Sequence, residues 1–340
     1  MLYFLLIVLV FGVLIFIHEF GHFMAARLCG VAVKEFAVGM GPTIFSWKSK
    51  KYDTKYGLRL FPIGGFVSMV GEDEESEEEN AFCNKKVWKR IVIVLAGPIM
   101  NLLLGFLLMT VIVFSQGNLA STTIAKFEEG AVSSQKLQVG DEIVKVDGTR
   151  VHTGNDMVYE IMNQGYEPID IEVIRNGEKF LIEDVSFLTL EDSGVTFGNY
   201  DFIPYAEEST LPNLIKHAYF RSVSTVKMVY DSLFGLLSGR FGMESVSGPV
   251  GVAEVVGDAA KMGLLNFLYI VTVLSINLGV FNLIPFPALD GGRLLFLVIE
   301  GIRRKPINRN VESYINFVGI MILFAFMIFV TVKDIFKLFV

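Results

Sequence analysis

Residues 1–22 read MLYFLLIVLVFGVLIFIHEFGH, and the first seventeen of them carry no charge. On a helix, His18 and His22 stand one turn apart on one face, so both imidazoles can reach a single Zn²⁺ ion. Glu19 stands beside them, where its carboxylate can take a proton from a water molecule at the metal. Because the motif continues an apolar run, we expect this metal site to lie inside a membrane-spanning helix.

The composition is that of a membrane protein, since 52% of the 340 residues are hydrophobic and only 19% are charged. The apolar residues are concentrated in four blocks, each long enough to cross a bilayer, which needs about 20 residues. We predict spans at residues 1–24, 91–114, 264–289 and 311–332. The first block passes straight into the histidine motif without a cleavage site, so we interpret it as a retained span and not as a signal peptide.

The charge pattern excludes one class of partner and orients the chain. The net charge is −7, and no basic stripe with interleaved aromatic residues is present, so no nucleic-acid partner is expected. Lysine and arginine are concentrated between the first two spans and after the third. By the positive-inside rule these flanks face the cytoplasm, so both termini and the segment between spans two and three face the opposite side.

Residues 30–70, between the first two spans, contain short stretches of alternating apolar residues that predict β-strands. Apolar strands in this setting are expected to be buried in protein or to line a cavity, because lipid cannot satisfy an open sheet edge. Two interpretations stay open. The segment is either a compact hairpin that only fills space, or it offers an edge strand at Gly65, Phe66 and Val67 that pairs with an extended substrate.

Residues 118–205 have the pattern of a small β-rich domain outside the membrane. We predict a helix over residues 154–164 and two strands, 169–175 and 179–185, joined by an Asn176-Gly177 hairpin turn.

Residues 206–263 form a linker that is amphipathic at helical spacing. The linker is interpreted as a helix lying on the membrane, with packing against the β-rich domain as the alternative. His152 and His217 are interpreted as ordinary surface histidines.

A catalytic zinc needs three protein ligands and an open position for water. Polar residues inside spans are costly and usually functional, so they are the candidates for the third ligand. Asp290 is a carboxylate embedded in an otherwise apolar stretch at the end of the third span, and we predict that it joins His18 and His22. Asn101, in the second span, is interpreted as a helix-packing residue.

The stretch before Asp290 reads NLIPFPALDGG, residues 282–292. Pro285 and Pro287 cannot continue a regular helix, so the backbone there must be partly extended. A broken helix at membrane depth is tolerated where it lines a site or a cavity. Asn282 carries two donors and one acceptor and can hold the backbone of an unwound peptide. We therefore assign substrate binding to Asn282 and Pro285.

Two motifs together closely resemble the site-2 protease family of intramembrane metalloproteases. They are His18-Glu19-x-x-His22 and the stretch from Asn282 to Gly291, with Asn, Pro, Asp and Gly at the family's positions. Gly97-Pro98-x-x-Asn101 also matches, and residues 118–205 resemble a PDZ domain, as in the bacterial RseP-like branch. The resemblance covers essentially the whole chain. The best-known members have two tandem PDZ domains and this chain has room for one, so their substrate gating does not carry over.

The resemblance implies a multi-pass α-helical membrane protein with about four transmembrane helices. It also implies a membrane-associated β-hairpin or sheet and an inserted extracytoplasmic PDZ-like domain. The expected divisions are an N-terminal membrane core (1–117), the PDZ-like domain (118–205), an interfacial linker (206–263) and a C-terminal membrane core (264–340).

The activity that the resemblance implies is cleavage of a peptide bond within the transmembrane segment of another membrane protein, with one zinc ion. Typical substrates would be single-span proteins already cut by a first protease, such as anti-sigma factors or leftover signal peptides, in the bacterial cytoplasmic membrane. The active site would lie toward the cytoplasmic side. One rival is a membrane zinc transporter or receptor that binds the metal without hydrolysis. Another is an inactive scaffold, against which the complete set of metal and base residues argues.

Overall fold

The computed structural model describes residues 2–72, 74–192 and 194–337. Met1, Asp73, Ser193 and residues 338–340, which the predicted domains include, lie outside these ranges. The helices are α1 (Leu2–Leu28), α2 (Val87–Gln116), α3 (Gly154–Gln164), α4 (Leu211–Ser238), α5 (Pro249–Met262), α6 (Leu264–Leu283), α7 (Asp290–Arg303) and α8 (Arg309–Lys337). The strands are β1 (Val33–Lys48), β2 (Lys55–Met69), β3 (Leu119–Phe127), β4 (Glu142–Val146), β5 (Thr149–Arg150), β6 (Ile169–Arg175), β7 (Glu178–Val185), β8 (Leu188–Asp192), β9 (Val195–Asn199) and β10 (Phe202–Glu207).

Four of the described helices are long and apolar enough to cross a membrane, which agrees with the four predicted blocks. They are α1 (over Leu5–Leu28), α2, α6 and α8. The third span is shorter than predicted, because α6 ends at Leu283 and the chain turns at Pro285 and Pro287 before α7 begins. The residues after Asp290, which were expected to be a connection, form this additional helix.

The chain divides into two compact units. One contains Met1–Gly105 and Ser247–Val340, and the other contains Phe106–Val246. This division differs from the predicted boundaries. The predicted domain 118–205 lies inside the second unit, and the predicted linker 206–263 is split, with α4 in the second unit and α5 in the first.

In the first unit, α1 and α2 cross at glycines. A β-carbon at Gly21 would lie 2.3 Å from the carbonyl oxygen of Ala96, so only glycine lets the two backbones approach this closely. Gly97 follows directly in α2 and faces His22. The crossing therefore lies at the histidine motif.

Strands β1 and β2 each bend back on themselves and form a small sheet of four runs. Residues 33–38 lie in the middle and pair with 65–69 on one side and with 55–58 on the other, while residues 43–48 pair with 55–59. Gly39 and Gly64, both at φ +88°, lie at the bends, where a side chain would be strained. The run 65–69 is therefore an outer edge of this sheet.

Among the described side chains of this sheet, those near α1 are buried and many of the others are exposed, whereas the prediction was that the strands are buried in protein or line a cavity. Phe36 is 8% exposed and packs against Phe23 of α1, with ring centroids 4.9 Å apart. In contrast, Phe45, Trp47 and Leu60 are more than half exposed. This difference in exposure arises because α1 covers the sheet around Phe36 and does not cover Phe45, Trp47 and Leu60.

The second unit is built on one antiparallel sheet and a short hairpin. The sheet order is β10-β3-β4-β6-β7, with β5 paired to β4, and β8 pairs with β9. Helix α3 has its predicted bounds, and Thr153 and Asp156 form a capping box at its start. Residues Asn176 and Gly177, both with positive φ, make the predicted turn between β6 and β7.

Helix α4 packs against α3, which is the alternative reading of the amphipathic linker. The Tyr159 hydroxyl donates to Asp231 Oδ2 at 2.6 Å, and Lys227 Nζ lies 2.8 Å from Glu160 Oε1. Burial alone would lower the pKa of Lys227, but these two carboxylates hold it above its usual value. His217, expected at the surface, is 1% exposed and pairs with Glu207 at 2.8 Å, because α4 turns this face toward the sheet.

Candidate metal centre and catalytic cavity

Three atoms that could hold a metal ion, from two distant parts of the chain, meet in the first unit. The Nε2 atoms of His18 and His22 lie 3.2 Å apart. The Oδ2 atom of Asp290 lies 3.0 Å from the first and 3.2 Å from the second. Both histidines are buried, at 8% and 9% exposure. The structure thus brings together the three residues that were predicted as ligands.

The donor set and its spacing fit a tetrahedral zinc ion. Zinc bonds of about 2.0–2.1 Å in tetrahedral geometry place neighbouring ligand atoms roughly 3.3 Å apart, close to the three distances here. Asp290 Oδ2 is also a buried atom that receives no aligned hydrogen bond from the described residues. Three such atoms facing one another repel unless a cation lies between them, so these residues fit the metal.

The outer ring nitrogens of both histidines have partners that orient the rings. His22 Nδ1 lies 2.8 Å from the carbonyl oxygen of Ile93, which leaves Nε2 as the free lone pair. His18 Nδ1 lies 3.2 Å from the side-chain amide of Asn101, which is fully buried. The Ser275 hydroxyl of α6 donates to the Asn101 carbonyl oxygen at 2.8 Å. Asn101 therefore orients the His18 ring in addition to packing helices. The sequence feature that could have indicated this role is a polar amide within an apolar span.

Gly97 makes room for His22. A β-carbon at this position would lie 2.3 Å from His22 Nε2, which is far inside van der Waals contact. The Gly-Pro pair in α2 is therefore part of the metal centre, because it shapes the wall against which the ring rests.

We expect Gly97→Ala to lower zinc affinity by about 10- to 100-fold, the range for residues that position a ligand. The methyl group must push the His22 ring away from the other two donors. Competition with a chromogenic chelator measures the affinity. Gly301→Ala is the matched control, since its β-carbon would meet only Val87 Cγ1 at an ordinary 3.5 Å. Wild-type affinity in Gly97→Ala would contradict the role of His22.

The side chains of His18, His22 and Asp290 line a cavity of about 300 Å³. Most of the predicted site residues line this cavity: His18, Glu19, His22, Phe66, Val67, Asn282 and Asp290. Gly65 lies against the base, since a β-carbon there would be 3.2 Å from Glu19 Cγ. Pro285, predicted to bind substrate, is not among the lining residues and instead shapes the turn before α7.

Asn282 lines the cavity, but its side-chain amide already forms one hydrogen bond within the protein. Its Nδ2 donates to the carbonyl oxygen of Leu278 at 2.9 Å within α6. One donor of the amide is thus used by its own helix, and the other donor and the side-chain oxygen are what it can offer to a peptide.

The turn between α6 and α7 presents Asp290 to the histidines. Gly291 and Gly292 pack onto this turn, since their β-carbons would lie 2.1 Å from the oxygen of Ile284 and 2.3 Å from that of Phe286. Asn316 of α8 accepts the Ala288 amide at 3.2 Å. The first turn of α7 therefore sits against the broken segment, which fixes the carboxylate.

The outer edge of the run 65–69 is less open than predicted. The Glu19 carboxylate lies against the backbone of Val67, and the amide of Met69 donates to Glu72 Oε2 at 3.0 Å. The amides of Val67 and Met69 point away from β1, because successive amides of a strand point to alternate sides. The edge that was proposed for substrate thus already carries two carboxylates.

Glu72 and Arg293 line both the catalytic cavity and a larger polar cavity of about 1240 Å³. The two side chains form an ion pair. Neither Glu72 nor Arg293 was among the site residues predicted from the sequence. Their position at the cavity depends on contacts across 221 residues, which no local pattern contains.

The comparisons with known proteins agree with this geometry. The profile of peptidase family M50 matches residues 6–326. The chain is 36% identical to a predicted zinc metalloprotease of Clostridium acetobutylicum over 96% of both chains. It is 30% identical to the regulator of sigma-W protease RasP of Bacillus subtilis and to the zinc metalloprotease RasP of Bacillus licheniformis, over 98% of each chain. The chain therefore belongs to peptidase family M50 and is an intramembrane zinc metalloprotease.

Proposed function

We propose that His18, His22 and Asp290 hold the single zinc ion of this protease and that Glu19 is its general base. The observation that carries the assignment is the meeting of three donor atoms at 3.0–3.2 Å beside the half-buried Glu19. Zinc, when bound, acidifies water and polarises the scissile carbonyl group. Glu19 then takes the proton of the attacking water and returns it to the leaving amine.

Several contacts prepare these residues for their roles. The Glu19 carboxylate lies against the backbone of Val67, and both residues line the cavity. Ile93 and Asn101 fix the two imidazole rings from behind. Because these partners belong to α2 and β2, the base and the ligands are pre-organised before a substrate enters.

The substrate must present an extended backbone, because a helix hides its carbonyl groups. We assign the holding of this backbone to the edge run 65–69, with Gly65, Phe66 and Val67, and to the free part of the Asn282 amide. The Bacillus subtilis relative is named as a regulator of sigma-W protease. It supports membrane-embedded anti-sigma factors as the substrate class here, single-span and cut beforehand by another protease.

Metal removal gives the direct test of this function. A purified single-span substrate, reconstituted with the enzyme in liposomes, is expected to be cut inside its apolar segment, and mass spectrometry of the fragments locates the cut. A zinc chelator is expected to abolish the cleavage and added Zn²⁺ to restore it. A cut outside the apolar segment, or cleavage that survives chelation, would refute the assignment.

For topology, we propose that the active site faces the cytoplasmic side of the bacterial membrane. Both termini and a PDZ-like domain at 118–205 then lie on the other side. The remaining proposed segments are the linker 206–263 and the membrane cores 1–117 and 264–340. The distribution of lysine and arginine supports this orientation.

Cys83 provides a natural probe of this topology, because it is partly exposed and lies between the first two spans, whereas Cys29 is buried. A membrane-impermeant maleimide is expected to label Cys83 in inverted membrane vesicles and not in intact spheroplasts. The opposite labelling pattern would reverse the proposed orientation. A Cys83→Ser protein controls for labelling at Cys29.

A further inference from the structure

Glu72 stands where the edge strand, the catalytic cavity and the larger polar cavity meet. Its Oε2 accepts the Met69 amide at 3.0 Å, and its Oε1 pairs with Arg293 Nη1. The side chain is only 10% exposed, so the carboxylate is held in place and not displayed to solvent. The catalytic mechanism does not use this buried acid.

The amide that Glu72 occupies is one that an incoming strand needs. Residues 65–69 pair with 33–38 through one edge, and the outward amides are those of alternate residues. The Met69 amide donates to Glu72 Oε2, and the Glu19 carboxylate lies against Val67. An extended peptide that pairs along the whole outer edge must therefore replace the Glu72 carboxylate at Met69.

The same side chain also separates two spaces. Glu72 and Arg293 belong to the linings of both the 300 Å³ cavity and the 1240 Å³ cavity. Arg293 lies one helical turn after Asp290 in α7, so the ion pair links the edge strand to the helix that carries a proposed metal ligand. Displacement of Glu72 would free the Met69 amide and widen the passage between the cavities in one movement.

We propose that Glu72 is a positioning residue that competes with substrate for the edge of β2, with Arg293 holding it in the competing position. The inference rests on the proposed function in one respect, the use of the run 65–69 as the substrate-binding edge. It adds a selectivity step: only a peptide that forms enough strand hydrogen bonds can replace the charged acceptor. A segment that stays helical leaves Glu72 in place.

Two substitutions separate the two contacts of Glu72, the hydrogen bond from Met69 and the ion pair with Arg293. Glu72→Ala removes both the acceptor at Met69 and the charge that pairs with Arg293. Glu72→Gln keeps an oxygen that can accept the Met69 amide but loses the ion pair. Hydrogen bonds to charged groups are roughly twice as strong as neutral ones. The Met69 amide is therefore expected to be most accessible to a peptide in Glu72→Ala, less accessible in Glu72→Gln and least accessible in the wild type.

The test measures binding to the zinc-loaded protein in detergent. The probe is a fluorescent apolar decapeptide whose central peptide bond is reduced, so that it cannot be hydrolysed. Glu72→Ala is expected to bind it about tenfold more tightly than wild type, as the loss of a competing charged hydrogen bond implies. Hydrogen exchange of the Met69 amide in the free protein is expected to accelerate in the same variant.

Two controls identify the cause. A decapeptide that is N-methylated on alternate amides cannot pair with the edge, so Glu72→Ala is expected to leave its affinity unchanged. Glu74→Ala removes an exposed acid that lines only the larger cavity, and it is expected to bind both probes like wild type.

The proposal is overturned if Glu72→Ala, shown to be folded by thermal unfolding, binds the pairing probe with unchanged or weaker affinity. It is also overturned if both decapeptides gain affinity equally, since that outcome indicates a larger opening and not a freed edge. Failure of the proposed function looks different. In that case, wild-type protein neither cuts a membrane-spanning substrate nor binds the pairing probe.

Discussion

Replacing Glu19 with glutamine is expected to abolish peptide-bond cleavage while the protein keeps its zinc. Glutamine has nearly the same shape and keeps a side-chain oxygen that can face Val67. It cannot take a proton from water, and loss of a general base lowers the rate by about 100- to 10,000-fold. The turnover of a reconstituted single-span substrate and the zinc content of the purified protein are the two measurements.

This substitution separates a protease from a membrane protein that only binds zinc. A transporter or receptor needs the three ligands and not the base, so its zinc-dependent function would survive Glu19→Gln. Glu312→Gln is the matched control, because it makes the same chemical change at a carboxylate that the catalytic cavity does not contain. Normal turnover in Glu19→Gln would remove Glu19 from the mechanism.

The second large effect is expected from Asp290→Ala, which should lose both zinc and activity. Residues that merely orient metal ligands already account for about 10- to 100-fold in metal affinity, so loss of a ligand is expected to exceed this range. The two histidines would remain 3.2 Å apart with no carboxylate to complete the set. Zinc titration against a competing chelator gives the affinity, and the same preparation gives the turnover.

Asp258→Ala controls for the loss of a carboxylate in the same unit, since Asp258 forms an exposed ion pair with Lys261 in α5. Asp290→Glu is informative as well, because it keeps the carboxylate but moves it by one methylene. It is expected to retain weaker zinc binding. If Asp290→Ala bound zinc like wild type, the third ligand would have to be another residue.

Much of the candidate site was predictable from local sequence. The spacing of His18 and His22 determines that they share one face of a helix, because helical geometry repeats every 3.6 residues. Pro285 and Pro287 determine that the third span ends early, since proline cannot donate the hydrogen bond that a helix requires. The isolated carboxylate Asp290 was found by the cost of placing charge in an apolar span.

Other features depended on which parts of the chain touch. The role of Asn101 behind His18 and the need for glycine at position 97 follow from the crossing of α1 and α2. The packing of α4 on α3 also depended on tertiary contacts. The sequence shows that α4 is amphipathic, but an apolar face does not by itself indicate whether a membrane or another helix covers it. In each case a local pattern was compatible with several partners, and packing selected one.

The sequence by itself determined the spans, the shared helix face of His18 and His22, the place of Glu19 beside them and the broken helix before Asp290. These properties reside in spacing, hydropathy and backbone chemistry within a few turns of chain. Only the tertiary structure decided that Asp290 meets His18 at 3.0 Å and that Glu72 pairs with Arg293. Contacts between residues separated by more than 200 positions arise from the packing of helices and a sheet edge, and that packing is a property of the whole chain.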